Sequence, residues 1–121
     1  MACKIFISHA TIDSDIAKKL VEAIVEYLDI GTEEITCTSV EGCRQPYIDS
    51  LPGFLKEDLK SCKVFFAILS EKSIGASWVL AEIGAAWVLG KNIVPILCRG
   101  IKYNDIPSLA HVRDPKSIIG D

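Results

Sequence analysis

The sequence has few histidines and no run of charges of one sign. Its 121 residues contain two histidines, His9 and His111, which are far apart in the chain and outside any spacing typical of metal ligands. No metal site is therefore predicted. The net charge is −3, and no basic stripe is present that could bind a phosphate backbone, so a nucleic-acid partner is not expected.

Long apolar segments are also missing. The longest apolar stretch, around residues 83–89, is far shorter than the roughly 20 residues that span a bilayer. The first four residues, Met1-Ala2-Cys3-Lys4, do not resemble the charged and apolar regions of a signal peptide. Because half of the residues are hydrophobic, we expect one compact domain. Since neither a membrane span nor a signal peptide is predicted, the domain is expected to be cytoplasmic and not to contact a membrane.

The five cysteines do not form any Cys-x-x-Cys pair. Cys37, Cys62 and Cys98 lie in or beside apolar runs. An odd number of cysteines without a paired spacing predicts reduced residues of the core rather than a disulfide framework.

The motifs of three common nucleotide-binding or signalling α/β classes are absent. No Gly-x-Gly-x-x-Gly follows the first predicted strand, which argues against a Rossmann cofactor domain, and no Gly-x-x-x-x-Gly-Lys of a P-loop occurs. A receiver domain needs an acidic cluster where this chain has Ser8-His9 and Ser70-Glu71. None of the three classes is therefore expected.

Strand and helix patterns alternate along the chain. They predict strands at residues 4–8, 34–38, 63–69, 92–98 and 116–119, and helical segments at 13–28, 54–62, 77–90 and 108–112. The third strand is a continuous apolar run, typical of the middle of a parallel sheet. Such alternation gives right-handed βαβ units. We therefore expect a flavodoxin-like, three-layer α/β fold with strand order 2-1-3-4-5 and helices on both faces.

Two local patterns refine this prediction. The first helix has apolar residues at strict four-residue spacing from Ile12 to Leu28, and Gly31 is expected to close it. In the fourth strand, Pro95 cannot donate a ladder hydrogen bond, which predicts an edge strand or a bulge.

The predicted helix at residues 77–90 carries an unusual carboxylate. Ser77 is a good N-cap and Gly90 a good C-terminal residue, and the side chains between them are nearly all apolar, which predicts burial on more than one face. Glu82 is the only charged residue and shares a stripe with Trp78 that contains no cation. Burial would raise the pKa of Glu82, a pattern concentrated at functional sites. The alternative is a carboxylate that faces solvent or pairs with an arginine.

The predicted topology places a cleft near this carboxylate. In such sheets ligands bind beyond the carboxyl ends of the strands, where the winding reverses, here between the first and third strands. Those ends are Ser8-His9-Ala10 and Leu69-Ser70-Glu71, and the loop after the third strand leads to Glu82. His9 is either a general base or a loop residue that forms hydrogen bonds. The hydroxyls of Ser8 and Ser39, at strand ends, either cap the backbone or contact a ligand.

Three segments together resemble the bacterial Toll/interleukin-1 receptor (TIR) domains. They are Phe6-Ile7-Ser8-His9-Ala10, Cys37-Thr38-Ser39 and Trp78-x-x-x-Glu82-x-Gly84-Ala85-Ala86-Trp87, in the usual order over residues 4–98. The resemblance implies that Glu82 is the catalytic residue of an NAD⁺ glycohydrolase. NAD⁺ is then a substrate, no cofactor is expected, and the products are nicotinamide and ADP-ribose or a cyclic ADP-ribose. A bacterial defence or signalling effector activated by self-association is implied.

The resemblance also implies a substrate pocket and an assembly loop. The expected substrate-binding residues are Ser8, His9, Ala10, Ser39 and Trp78. Trp78 is expected to form an apolar wall for the ring system, whereas Trp87 is expected in the core. Residues 40–52 correspond to the family's BB loop, which takes part in self-association and gates the pocket. Its expected contact residues are Val40, Gly42, Arg44 and Pro46.

By this resemblance, the family's last helix has no counterpart among residues 1–121. A single TIR domain over residues 1–121, from a longer protein with a sensor domain or partner, is therefore expected. Two other functions stay open. One is a non-catalytic TIR scaffold for protein–protein signalling, and the other is a different N-glycosidic enzyme of similar topology, such as a nucleoside deoxyribosyltransferase.

Overall fold

The computed structural model describes residues 3–37, 39–40, 42–44, 52–98, 100–101 and 118–119. Within this part of the chain, five parallel strands form one sheet in the order β2-β1-β3-β4-β5. The strands are β1 (Ile5–Ser8), β2 (Ile35–Thr36), β3 (Val64–Leu69), β4 (Asn92–Leu97) and β5 (Ile118–Ile119). The helices are α1 (Ser14–Leu28), α2 (Pro52–Ser61) and α3 (Ser77–Val88). The predicted flavodoxin-like strand order is confirmed, and residues 108–112 lie outside the described part.

The sheet separates two apolar layers, because successive side chains of a strand point to opposite faces. On one face, Ile5 and Ile7 of β1 pack with α1, whose buried residues are Ala17, Val21 and Ile24. On the other face, Phe6 packs with residues of α2 and α3, including Leu59, Val79, Ile83 and Ala86. The rings of Phe6 and Phe65 stack there with centroids 5.3 Å apart. Helices therefore cover both faces, as predicted.

The buried face of α1 differs from the predicted stripe. Ile12 and Leu28, at the two ends of the four-residue repeat, are 50% and 57% exposed. Ile12 lies in the 3₁₀ turn before α1 and is outside the helix. Within α1, with 3.6 residues per turn, each step of four residues drifts by about 40°, so the repeat leaves the buried face before it reaches Leu28. The predicted closure at Gly31 is wrong. Asp29, with a φ of 54°, ends the helix in the left-handed conformation that aspartate tolerates.

The position of β4 corrects the prediction from Pro95. β4 is not an edge strand, because it pairs with β3 on one side and with β5 on the other. Pro95 lies opposite Ala67 of β3, while β5 pairs only with Ile96 and Leu97. In the described residues, no strand therefore lies beside Pro95 on the β5 side, and its missing N–H costs no ladder hydrogen bond there.

Helix α3 is buried on one face rather than on several. Its N-cap is Ala76 rather than Ser77, whereas Gly90 has the predicted role at the C-terminal end, with a φ of 72°. The buried residues Val79, Glu82, Ile83 and Ala86 share one side, and the large side chains elsewhere on the helix are exposed. The apolar composition of this helix predicted burial on more than one face. Composition does not show how many elements pack against a helix, so this prediction is wrong.

All five cysteines are free and buried, which confirms their predicted place in the core. Among the described helices, none combines the length and the apolar character that crossing a membrane requires.

Candidate active site

The carboxylate of Glu82 lies inside the domain, in contact with the end of β1. Its residue is 4% exposed, and Ser8 is 1% exposed. Ser8 Oγ donates a hydrogen bond of 2.6 Å to Glu82 Oε1, a distance typical of a hydroxyl on a carboxylate. Ser8 reaches α3 because it lies two residues after Phe6 and so points to the same face of the sheet. The alternative of a carboxylate that faces solvent is excluded.

The end of β2 lies within electrostatic reach of the same carboxylate. Burial raises the pKa of the Cys37 thiol, and the charge of Glu82 adds to this effect. Ser39 follows Cys37 by two residues and is exposed, with its Oγ 3.9 Å from Cys37 Sγ. The strands β2 and β1 are neighbours in the sheet, so their carboxyl ends reach the site from adjacent positions.

The residues after β1 extend this site. His9 is 8% exposed, and burial lowers its pKa, while the nearby Ile7 carbonyl and the charge of Asp13 act in the opposite direction. The imidazole is therefore uncharged near neutral pH. Ala10 packs against the core on the α3 side, and its carbonyl accepts a hydrogen bond of 2.9 Å from the N–H of Asp13.

Asp13 lies at the same carboxyl edge of the sheet, and it was not among the predicted site residues. It is fully buried, and Ser70 Oγ donates a hydrogen bond of 2.8 Å to its Oδ2. The only sequence pattern that pointed to it was an acidic residue at the start of a helix after a strand end, which is common at helix caps. The contact joins the segment after β1 to the end of β3, the two strands between which the winding reverses.

A cavity of about 280 Å³ opens beside this contact. Its lining residues come from the segment after β1 and from the loop after β3: Ile12, Ser70, Glu71 and Lys72. The cavity lies near the reversal of the winding, but neither Glu82 nor Ser8 is among its lining residues, so the cleft expected at Glu82 stays a prediction.

Comparisons with known proteins identify the family. The sequence matches the family model described as TIR domain over residues 5–117. The chain belongs to the TIR domain family. It is 30% identical over 99 residues to the uncharacterized protein YddK of Bacillus subtilis (strain 168), a match that covers 82% of this chain and 37% of YddK.

The fold of this TIR domain also occurs in a solved structure. A metazoan TIR-STING receptor from C. gigas, in complex with 2′,3′-cGAMP, superimposes with a TM-score of 0.62 at 20% identity. The match covers 95% of this chain and 34% of that receptor. The chain therefore spans little more than a third of the length of either relative.

The two tryptophans of the TIR motif are both partly exposed. Trp78, in the first turn of α3, is 47% exposed, so one side of its indole is accessible one turn before Glu82. Trp87 is 40% exposed, and its predicted place in the core is therefore wrong. The reason is the single buried face of α3, which leaves the other side of the helix without a covering element among the described residues.

The loop after β2 is fastened to the domain through Arg44. The guanidinium donates to both carboxylate oxygens of Asp58, from Nη2 at 2.7 Å and from Nε at 3.3 Å. The backbone of Arg44 continues the sheet at β2, since its N–H donates to the Ile35 carbonyl and its carbonyl accepts from the Cys37 N–H. In this conformation Arg44 is engaged within its own domain, so its predicted part in self-association stays a prediction.

The other predicted loop residues differ in their surroundings. Val40 packs partly buried against the core on the α1 side, and Gly42 has a φ of 91°, which favours glycine. Pro46 lies outside the described residues.

Proposed function

We propose that this TIR domain cleaves the bond between nicotinamide and ribose in NAD⁺, with Glu82 as the catalytic residue. The observation that carries the proposal is the buried Glu82 carboxylate, oriented by Ser8 at the reversal point of the sheet. Parallel α/β sheets bind ligands at this point. The chain also belongs to the TIR family. The resemblance described above implies this activity for the family's Trp-x-x-x-Glu glutamate, which supports the same assignment.

The reaction suits a single carboxylate. Nicotinamide in NAD⁺ is cationic, so the C1′–N bond breaks with its electron pair moving to nicotinamide, which leaves as a neutral molecule. A second carboxyl group that protonates the leaving group, as in most glycosidases, is therefore not required. The ribose becomes an oxocarbenium-like cation, which the fixed negative charge of Glu82 stabilises in poorly hydrated surroundings. A water oxygen then bonds to C1′ and loses a proton, which gives ADP-ribose.

The neighbouring residues have supporting roles in this proposal. Ser8 holds the carboxylate in one orientation, so that little reorganisation is needed in the transition state. The half-exposed indole of Trp78 provides an apolar wall for the nicotinamide ring, and Ala10 and Ser39 complete the pocket near the ends of β1 and β2. Capture of C1′ by a nitrogen of the adenine, in place of water, gives the cyclic product. Self-association through residues 40–52, driven by a sensor domain or partner, activates the enzyme.

Nicotinamide release tests the proposal. Wild type and Glu82→Gln are incubated with NAD⁺ at high protein concentration and as fusions to an oligomeric scaffold. Because the substitution removes the charge that stabilises the cation, we expect release to fall by about 10²-fold or more. Glu26→Gln, which changes an exposed carboxylate of α1, is the matched control. Equal release by wild type and Glu82→Gln under forced assembly would sink the proposal.

A non-catalytic scaffold is the second candidate, and one observation favours it. The side of α3 that faces away from the sheet exposes apolar side chains that could contact a partner protein, with Trp87 40% and Val88 75% exposed. A scaffold predicts no Glu82-dependent nicotinamide release, and it predicts that Trp87→Glu abolishes binding of the partner. Deoxynucleosides tested beside NAD⁺ separate a deoxyribosyltransferase from both.

A further inference from the structure

Cys3 and Cys62 lie beside each other where the parallel neighbours β1 and β3 begin. The register of their ladder, extended by one residue, places Lys4 opposite Lys63, and the Lys63 N–H donates a hydrogen bond of 2.8 Å to the Lys4 carbonyl. Cys3 directly precedes Lys4 and Cys62 directly precedes Lys63, so the two cysteines occupy the next facing positions. Neighbouring strands are roughly 4.8 Å apart, which is within the roughly 4.4–6.8 Å between Cα atoms that a disulfide spans.

The two thiols also share one buried cluster. Both side chains pack among the apolar residues between the sheet and the helices α2 and α3, and they are 0% and 2% exposed. Burial raises the pKa of Cys62 to about 12, and the nearby charge of Cys3 adds to this effect, so the two sulfurs are within electrostatic reach of each other. The cysteines therefore form a dithiol pair and are not two unrelated core residues.

The pair is connected to the ion pair that fastens the loop after β2. Thr36 Oγ1 lies 3.1 Å from Cys3 Sγ and 2.7 Å from Asp58 Oδ2. The Cys62 N–H donates a hydrogen bond of 3.0 Å to the Asp58 carbonyl at the end of α2. A bond between the two sulfurs therefore ties the start of β1 to the last turn of α2, from which the Asp58 carboxylate holds Arg44.

We propose that Cys3 and Cys62 are a modification site, at which a low-molecular-weight disulfide oxidises them to a reversible protein disulfide. The thiolate of one cysteine attacks a sulfur of the oxidant, forms a mixed disulfide and releases one half of the oxidant as a thiolate. The second cysteine loses its proton, attacks the protein sulfur of the mixed disulfide and releases the other half. The protein loses two protons and two electrons, and the oxidant becomes two thiols. The inference does not depend on the proposed function.

Refolding in oxidised glutathione tests the proposal. Burial raises the pKa of both thiols, so exchange in the native protein is slow, and the reduced protein is therefore unfolded in urea and refolded in the oxidising buffer. The remaining thiols are alkylated in urea before digestion with trypsin. We expect residues 1–4 linked to residues 61–63, with a mass two hydrogen atoms below the sum of the two peptides. Dithiothreitol should separate them.

Stability gives a second readout. The disulfide closes a loop of about 60 residues, so it should raise the urea midpoint by roughly 1–2 M. Cys62→Ala and Cys3→Ala should each remove both the linked peptide and the shift. Cys98→Ala, which changes another buried free cysteine, is the matched control and should keep both. Urea midpoints of the reduced variants show whether each still folds.

Three results would overturn the proposal. One is a link between Cys37 and Cys43, whose thiols also interact, in place of the link between Cys3 and Cys62. Another is wild-type protein that refolds fully reduced or carries only glutathione on single cysteines. The third is a linked protein whose urea midpoint is no higher than that of the reduced protein, because such a disulfide would not fit the native fold. None of these results bears on nicotinamide release.

Discussion

Replacing Arg44 with leucine should destabilise the domain strongly, because it removes one partner of a buried ion pair. The Asp58 side chain is 2% exposed, and its carboxylate accepts hydrogen bonds from Arg44 and from Thr36 Oγ1 at 2.7 Å. In Arg44→Leu the carboxylate stays buried with Thr36 but loses its bidentate cation. Losing one partner of a buried pair typically costs 3–5 kcal/mol. Because the Arg44 side chain is 25% exposed and Thr36 remains, we expect about 3 kcal/mol.

Urea unfolding at neutral pH measures this effect. For a domain of this size, a loss of about 3 kcal/mol corresponds to a shift in the urea midpoint of roughly 1–2 M. It is also a large part of the roughly 5–15 kcal/mol by which domains are stable. The matched control is Lys4→Met, which breaks the exposed pair of Lys4 with Glu34 at 2.9 Å and should change the midpoint only slightly.

The charge-reversed double variant Arg44→Asp with Asp58→Arg separates charge pairing from packing. If the ion pair is what matters, the double variant should be more stable than either single variant. The reasoning is refuted if Arg44→Leu moves the midpoint no further than Lys4→Met does. Such a result would mean that the loop after β2 is held by its backbone bonds to Ile35 and Cys37 alone.

Two further predictions concern buried titratable groups. Burial raises the pKa of Cys43 to about 11 and that of Cys62 to about 12. At pH 8 iodoacetamide should therefore label these thiols far more slowly in the native protein than in urea, and labelling of Cys62 at the rate of the unfolded chain would contradict their burial. Burial also lowers the pKa of His9, so below about pH 6.5 the unfolded chain binds more protons than the folded one. The free energy of unfolding should therefore not depend on His9 above about pH 6.5. It should decrease as the pH falls from there towards the folded pKa of His9, by at most about 1.4 kcal/mol per pH unit. His9→Asn should flatten this slope in urea titrations at pH 5 to 7, and equal slopes would show that His9 is not the group responsible.

The architecture could be predicted because apolar spacing reports which elements bury which faces. The run at residues 63–69 indicated a central strand, and β3 lies between β1 and β4. The errors concern features that depend on neighbours distant in sequence. The exposure of Trp87 and the place of β4 between two strands depend on how many elements pack beside α3 and β4. Local sequence patterns do not give that number.

The site was predictable in part for a similar reason. Glu82 stood out as the only charge in an apolar helix, and the topology brought it to the end of β1. Its contact with Ser8 spans 74 residues of sequence separation, so only the shared edge could be predicted and not the hydrogen bond. Asp13 and Asp58 were missed because an acidic residue near a helix start, or on a polar helix, is usually a solvated group.

One pattern connects these contacts across the sheet. β2 and β1 each end in a hydroxyl residue, a third hydroxyl residue follows β3, and each donates to a buried carboxylate on a different element. The pairs are Thr36 with Asp58, Ser8 with Glu82, and Ser70 with Asp13, at 2.7, 2.6 and 2.8 Å. Glu82 and Asp13 lie at the carboxyl edge of the sheet, beside the ends of β1 and β3. Asp58 instead lies near Cys3 and Cys62, which precede β1 and β3, and so belongs to the opposite edge. Arg44 offsets the charge of Asp58 at one side. A cationic group that enters near β1 therefore meets carboxylates already oriented by hydroxyl donors, which is the electrostatic arrangement that a developing ribose cation requires.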